Sequence, residues 1–319
     1  MSIPRGEMMD RIETWRMFVA VAESLSFAKA ARQLGRSPQA VTRAVAALED
    51  RLATRLLNRT TRSVMLTEAG ARQLALCRHL LAEFDALETG ATGDETHPRG
   101  ALSVTASQVF GRLHVLPIVT EFLRHYPDVD VRLLLLDRVV SLTEEGLDLG
   151  VRIGLLPDSS LRATLVGHVR RSLYASPAYL TAEGVPQTPA DLEHHACIAF
   201  TGTTPVPERW TFPTRKGGTT AVPVRPRLTV NGAEAAGEGA VAGLGLVRLL
   251  SYQVSEHLAA GRLVPVLREY EPEPLPIHLV HAAGHYPSAA MRLFISRGST
   301  ALRAKFKAGD AGNALPRAV

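Results

Sequence analysis

The sequence predicts an α/β protein: a small helical module with a β-hairpin, then a linker helix, then a larger α/β body of two subdomains. Three observations point there. The first 66 residues read as short amphipathic helices with caps and tight turns, residues 67–89 run helix-compatible without proline, and beyond Gly100 strand-like and helix-like segments alternate. A chain of 319 residues is long enough for two or three separate cores. With 46% hydrophobic and 21% charged residues, its composition is that of an ordinary globular protein.

The first helix is expected over "MDRIETWRMFVAVAES", where Ile12, Trp15, Phe18, Val19 and Ala22 recur at helical spacing. Ser26 can cap the next, "FAKAARQLG", whose Ala30, Ala31 and Leu34 offer a small apolar face, and Gly35 ends it. A third begins at "SPQAVTRAV": Ser37 suits the N-cap, and Pro38 the first helical position, where a missing N–H costs nothing. Val41, Val45, Leu48 and Leu52 share one face of it, while Gln39, Arg43 and Ala46 lie opposite with Thr42 at their edge. Those are side-chain types that reach base edges and phosphates in a major groove, although a solvated helix face would look similar. In "RLLNRTTRSVMLT", Arg55, Arg59 and Arg62 interleave with Thr60 and Thr61 ahead of a β-prone stretch, which reads as a hairpin, or wing, offering cations and hydroxyls to phosphates.

Charge singles out the same region. Residues 1–66 hold 11 Lys+Arg against 6 Asp+Glu, and the remainder balances at 25 of each. A compact basic module on a neutral body suits a polyanion, with nucleic acid as first candidate and an acidic membrane surface as second.

Thr67 is a candidate cap for the linker helix, in which Leu74, Cys77, Leu81 and Phe84 form a short heptad-like seam suited to a second helix or to a domain surface. "TGATGDETHPRG" marks a boundary. Beyond it "ALSVTAS", "VDVRLLLLD", "LDLGVRIG", "CIAF", "RWTF", "VRPRLTVN", "LGLVRLLS" and "IHLVHAAGH" read as strands. "FGRLHVLPIVTEFLRHYP", "VVSLTEEG" and "GAEAAGEGAVAG" read as helices, and "LYASPAYLTAEG" continues the alternation, which predicts parallel pairing. The strands are too many for one small sheet, so two subdomains are expected, joined by crossings near 164–170 and 266–276. The expected divisions are 1–66, 67–98 and 99–303, the last split into 99–166 with 270–303 and 167–269, followed by a flexible tail at 304–319. The cleft between such subdomains, at the strand ends, is a binding place. Ser107 and Gln108 lie between a strand and a helix, where a hydroxyl and free amides suit a carboxylate, with a helix cap as the alternative. Thr201 and Asn231 follow strands in comparable positions, and Arg152 can neutralise an anion or brace the subdomain.

Other chemistry finds little support. "GEGAVAG" mimics a dinucleotide loop, but its glycines fall within and after a helix and no acid ends the following strand. His278 and His281 alternate across a strand and His285 follows a glycine turn, so no metal site is expected. Glu144 and Glu145 fit a solvated face better than an acid/base couple. Cys77 and Cys197 read as small buried hydrophobes rather than a disulfide or a redox sensor. No cofactor and no catalytic residue is expected. No apolar run approaches the roughly 20 residues that span a bilayer, and the N-terminus lacks a signal-peptide pattern, so a cytoplasmic protein is expected. The same missing signal and the basic module speak against a solute-binding protein.

The stretch from Phe27 to Gly70 resembles the winged helix-turn-helix of LysR-type transcriptional regulators: AA-x-x-L, S-P-x-A-V-[ST]-R, L-E-x-x-L, R-L-L-x-R-T-T-R and L-T-E-A-G follow in order. "DRVVSLTEEGLDLGVRIG", "AVAGLGL" and "LAAGRLVPVL" are similar to motifs of that family's effector domain, so the likeness spans about Met9 to Leu302. It implies a DNA-binding module, a linker helix that dimerises it, and a two-subdomain effector domain similar to periplasmic binding proteins, in dimers or tetramers. The implied partners are double-stranded DNA bearing a promoter inverted repeat, a small-molecule effector, further copies of the chain and RNA polymerase, with no membrane. Within this resemblance Ser37, Pro38, Gln39, Thr42, Arg43, Arg55, Arg59 and Arg62 are the DNA-binding candidates, and Ser107, Gln108, Arg152, Thr201 and Asn231 those for the effector. Three departures stand out. Ala53 replaces a usual glycine and Leu57 a common phenylalanine, both expected as packing changes within the wing, and Ser141 replaces a common aspartate.

Overall fold

A computed structural model describes residues 5–59, 64–92, 97–156, 161–202, 208–214, 217–283 and 287–307. Helices α1 (Arg5–Ser24), α2 (Phe27–Gln33) and α3 (Pro38–Leu52) pack on one another. They enclose a core of Phe18, Val21, Ala30, Ala31, Val41, Val45 and Leu48, each essentially inaccessible to water. The expected local signals act as capping chemistry requires. Ser26 accepts the Lys29 N–H at 3.3 Å, Ser37 accepts that of Ala40 at 3.2 Å, and Gly35 takes φ +61° in the turn between α2 and α3. Strands β1 (Leu57–Arg59) and β2 (Val64–Leu66) pair antiparallel as the expected hairpin.

Ala53 lies outside that hairpin. It is the C-cap of α3, left-handed at φ +48°, with its N–H bonded to Asp50 O at 3.1 Å and that of Thr54 to Glu49 O at 3.1 Å. The glycine it replaces is therefore explained by backbone conformation rather than by packing. Leu57 is a packing residue, buried in the module core.

Thr67 caps α4 (Glu68–Thr92) by accepting the Gly70 N–H at 2.9 Å. The expected seam along this helix divides. Leu74 and Cys77 are 7% and 2% exposed because they turn into the N-terminal core, Leu81 and Phe84 are half-buried, and among the described side chains of the helix Leu76 and Leu80 face water, at 49% and 63%.

The body begins with β3 (Gly100–Ala106) and α5 (Gln108–Phe110), passes through a π-helical turn at Gly111–Val115 into α6 (Leu116–His125), and returns in β4 (Val129–Leu135). "VVSLTEEG" is not a helix. It closes as a hydrogen-bonded turn in which Ser141 Oγ accepts the Glu144 N–H at 3.4 Å and Leu147 N bonds Leu142 O at 2.8 Å, too short a segment to propagate. The chain continues through β5 (Leu149–Ile153), β6 (Leu161–Val169), β7 (Arg171–Ala175), α7 (Pro177–Glu183), β8 (Ala196–Phe200), β9 (Arg209–Pro213), β10 (Thr219–Pro223) and β11 (Arg225–Val230). It ends with α8 (Ala233–Val241), β12 (Leu246–Leu250), α9 (Ser255–Ala259), β13 (Val264–Val266), β14 (Leu275–Ala282) and α10 (Ala289–Lys307).

Two five-stranded sheets result, in the orders β4-β3-β5-β14-β6 and β11-β8-β12-β7-β13. We refer to them with their helices as lobe I and lobe II. The chain passes from lobe I to lobe II at Arg170 and returns between β13 and β14. Pairing is parallel along β4-β3-β5 and β11-β8-β12, whose connections cross over through α5 and α6, through α8 or, between β8 and β11, through the β9–β10 hairpin. The expected all-parallel pattern fails at the crossings. Strands β6, β7, β13 and β14, which carry the chain from one lobe to the other and back, pair antiparallel. The hairpin β9–β10 covers one face of the lobe II sheet with Trp210 and Phe212. No described helix is long and apolar enough to cross a membrane.

Candidate functional site

The exposed face of α3 is the first candidate. Gln39 and Arg43, one turn apart, are open to solvent opposite the buried Val41, Val45 and Leu48. Thr42 is half-buried at their edge and its hydroxyl donates to Pro38 O at 2.8 Å. The stripe continues through Ala47 rather than Ala46, which is half-buried. Arg43 and Arg55 are exposed and form no hydrogen bond or ion pair among the described residues, whereas Arg36 pairs with Glu13 and Arg51 lies over the Trp15 ring at 5.8 Å. Arg43 on the outer face of α3 and Arg55 beside the hairpin thus keep their charge free for an outside partner. Arg59 ends β1 and its side chain lies outside the described residues, as does the whole of Arg62.

Sequence reasoning missed what holds this face in place. Glu49, on α3, accepts with one carboxylate oxygen the N–H groups of Leu56 and Leu57, at 2.8 and 2.9 Å, and so ties the hairpin to the helix. Thr67 donates its hydroxyl to Arg55 O at 2.8 Å. At Gly70 any Cβ would stand 2.0 Å from Leu56 O, so α4 meets the hairpin backbone where only glycine fits. The motif L-E-x-x-L was the available signal for Glu49, but its partners could not be read from it.

The second candidate lies between the lobes. Ser107 occupies the N-cap position of α5 without capping it, and its Oγ is 3.4 Å from Tyr252 Oη of lobe II. The Gln108 amide is already taken, donating to Asp137 Oδ1 at 3.1 Å, so it is not the free anion donor expected. Burial raises the Asp137 pKa above the usual carboxylate range, and its other oxygen is buried with no hydrogen-bond partner among the described residues. Arg112 of lobe I pairs with Glu234 of lobe II. Thr201 stands beside the end of β11, its N–H and hydroxyl both directed to Val230 O, at 2.9 and 3.3 Å, with Asn231 next in the chain. A Cβ on Gly202 would be 3.0 Å from that of Asp137, which brings this loop against lobe I. Ser107, Gln108 and Thr201 are therefore gathered around Asp137 and Tyr252, and Asn231 lies at the adjacent strand end. Arg152 is not among them. It sits within β5 with its guanidinium donating to Val140 O, which is the bracing alternative.

The rival chemistries are also placed. Cys77 and Cys197 are free and buried, which pushes their thiols up to about 11 and about 12, and a protonated thiol is a poor nucleophile. Among the described residues no three His, Cys, Asp or Glu groups gather as a metal site. His281 Nδ1 lies 3.1 Å from Ala282 O, His278 is lowered by burial, and His285 lies outside the described residues. Glu145 pairs with Arg138 at 2.9 Å and Glu144 is exposed.

Comparison with known proteins places both regions. Residues 12–71 match the family profile described as a bacterial regulatory helix-turn-helix protein of the lysR family, and residues 95–301 match the LysR substrate binding domain. The regulator CrgA of Neisseria meningitidis serogroup B is 33% identical over 290 residues, covering 90% of this chain and 96% of the relative. A transcriptional repressor of Pseudomonas aeruginosa is 32% identical over 291 residues, 90% and 91% of the two chains. The solved structure of the LysR-type regulator CrgA from N. meningitidis superposes with a TM-score of 0.58 at 32% identity, covering 91% of this chain and 98% of that one. The full-length Vibrio cholerae virulence activator AphB gives 0.56 at 26% identity, with 90% and 98% covered. This chain belongs to the LysR family of transcriptional regulators, a helix-turn-helix module followed by an effector-binding domain.

Proposed function

We propose that residues 1–66 dock α3 into the major groove of an interrupted inverted repeat, with Gln39, Thr42 and Arg43 at base edges. Ser37, Pro38 and the N-terminal end of α3, with Arg55, Arg59 and Arg62, hold the flanking phosphates. The observation that carries this reading is the pair Gln39 and Arg43, exposed one turn apart on a helix whose opposite face is the module core. Residues 67–98 link and dimerise the modules. Leu76 and Leu80, exposed on one side of α4, support that role. Residues 99–303 bind a small effector between the lobes near Ser107, Gln108, Thr201 and Asn231, with 99–166 and 270–303 on one side and 167–269 on the other. Binding favours one lobe or dimer geometry and so resets the spacing of the two recognition helices. The protein acts in the cytoplasm, as a dimer or tetramer, by altering access of RNA polymerase, and performs no catalysis.

The test is recovery of genomic DNA fragments by the purified protein at moderate salt, followed by footprinting. A discrete inverted repeat is expected, with affinity falling steeply as salt rises because phosphate contacts release counterions. Arg43→Ala should cost about 1–3 kcal/mol and relax base preference at one position of each half-site. Weak, sequence-blind binding with no effect of Arg43→Ala would overturn the assignment.

A further inference from the structure

Two half-buried guanidinium groups in lobe II, those of Arg171 and Arg248, lack a counter-charge among the described residues. Arg171 opens β7 directly after the crossing at Arg170, and Arg248 lies on the neighbouring strand β12. In the antiparallel register Arg171 stands opposite Leu250 and Arg248 opposite Leu173. Residues two apart along a strand share a face, so the two arginines are diagonal neighbours on one side of the sheet. Neither forms an ion pair among the described residues. Arg248 donates to Thr211 O at 2.7 Å and lies over the Phe212 ring at 5.1 Å, and its Nε is buried with no partner. The Arg171 side chain makes no hydrogen bond among the described residues. Burial lowers the pKa of both, and each cation feels either the other or the adjacent Tyr252. Tyr252 in turn reaches Ser107 of lobe I, so the pair borders the interlobe site.

Two like charges held together and partly desolvated are unfavourable unless an anion joins them. The other candidates for that task are occupied, since Arg152 is held on Val140 O, the Gln108 amide on Asp137, and Arg112 on Glu234. We propose that Arg171 and Arg248 form the subsite for an oxyanion group, a carboxylate or a phosphate, of the small molecule bound between the lobes. This rests on the effector-binding reading above. It adds the chemical class of the effector and the residues that select it.

The experiment uses the full chain and five probes, benzoate, succinate and inorganic phosphate against neutral benzamide and succinamide, at matched chloride ionic strength. Thermal unfolding and calorimetric titration are read for the wild type, Arg171→Gln and Arg248→Gln. Without probe, Arg171→Gln should unfold at the same or a higher temperature, because it removes a repulsion and breaks no bond. At least one oxyanion should protect the wild type saturably, its neutral amide should not, and either substitution should weaken that protection about tenfold or more. Preference for a carboxylate over phosphate would identify an organic acid, and the reverse a phosphorylated compound. Equal protection of the wild type and Arg171→Gln, or no saturable protection by any of the three anions, overturns the subsite. Footprints taken on the same samples separate the two failures: loss of specific DNA binding would sink the regulator reading, whereas an intact footprint with no anion effect would remove only this subsite.

Discussion

Glu49→Ala removes the carboxylate, and with it the single oxygen that the N–H groups of Leu56 and Leu57 share as acceptor at 2.8 and 2.9 Å. Both leucines are almost fully buried, 1% and 2% exposed, so water is a poor replacement partner. A hydrogen bond to a charged group contributes about 1.5–3 kcal/mol, and an orphaned buried donor costs about 1–3 kcal/mol. Because Glu49 is itself half-buried, some water follows the truncation, and a total of about 2–4 kcal/mol is expected, a large part of a small module's stability. The assay is urea unfolding followed by Trp15 fluorescence in a Trp210→Phe background, since the chain has two tryptophans and only Trp15 lies in this module. With a slope of about 2 kcal/mol per molar urea, usual for a small protein, the midpoint should fall by about 1–2 M. Glu49→Gln keeps a carbonyl oxygen in place and should cost only about 1 kcal/mol. If Ala and Gln are equally costly, or if Ala costs less than about 0.5 kcal/mol, the tie between helix and hairpin is not what holds the wing.

Further consequences follow from other single positions. Gly70→Ala places a methyl 2.0 Å from Leu56 O, which must move, and should destabilise the module by at least about 1–3 kcal/mol in the same Trp15 assay. An unchanged midpoint would show that the contact between α4 and the hairpin yields freely. Ala53→Gly relieves a left-handed alanine, a conformation costing about 1–2 kcal/mol, against the greater entropy of unfolded glycine. A net gain of about 0.5–1 kcal/mol is expected, and a loss would contradict the cap assignment. His114 is wedged among Phe110, Tyr252 and Phe306, and burial lowers its pKa to about 4. The unfolded chain therefore binds a proton near pH 6.5 that the folded one refuses, so stability is lost as pH falls from about 6.5 towards 4. His114→Phe should flatten that limb in Trp210-monitored unfolding, and an unaltered acid limb would assign it to other groups.

Residues 1–92 were largely legible because their signals are local. Ser26, Ser37 and Thr67 each cap a helix that begins beside them, and Gly35 turns the chain where it stands. The π-helical turn at Gly111–Val115 and the turn at Ser141–Leu147 were not legible, because a window of residues that suits an α-helix carries no information on what it will pack against. The candidate cleft divides the same way. Ser107 and Thr201 could be singled out from strand ends, but Tyr252 is 145 residues from Ser107 and Glu234 is 122 from Arg112.

By itself the sequence determined the helices and the hairpin of the first 92 residues, the α/β class, the outward stripe of Gln39 and Arg43, and the confinement of excess charge to the first 66 residues, since all of these depend on periodicity, caps and composition. Tertiary structure alone decided the antiparallel crossings of β6, β7, β13 and β14, the inward turn of Leu74 and Cys77, the capture of the Gln108 amide by Asp137, and the meeting of Arg171 with Arg248. The physical reason is common to all four. Each depends on which distant backbone arrives alongside, and that is set by burial of the whole apolar surface rather than by any local preference of the chain.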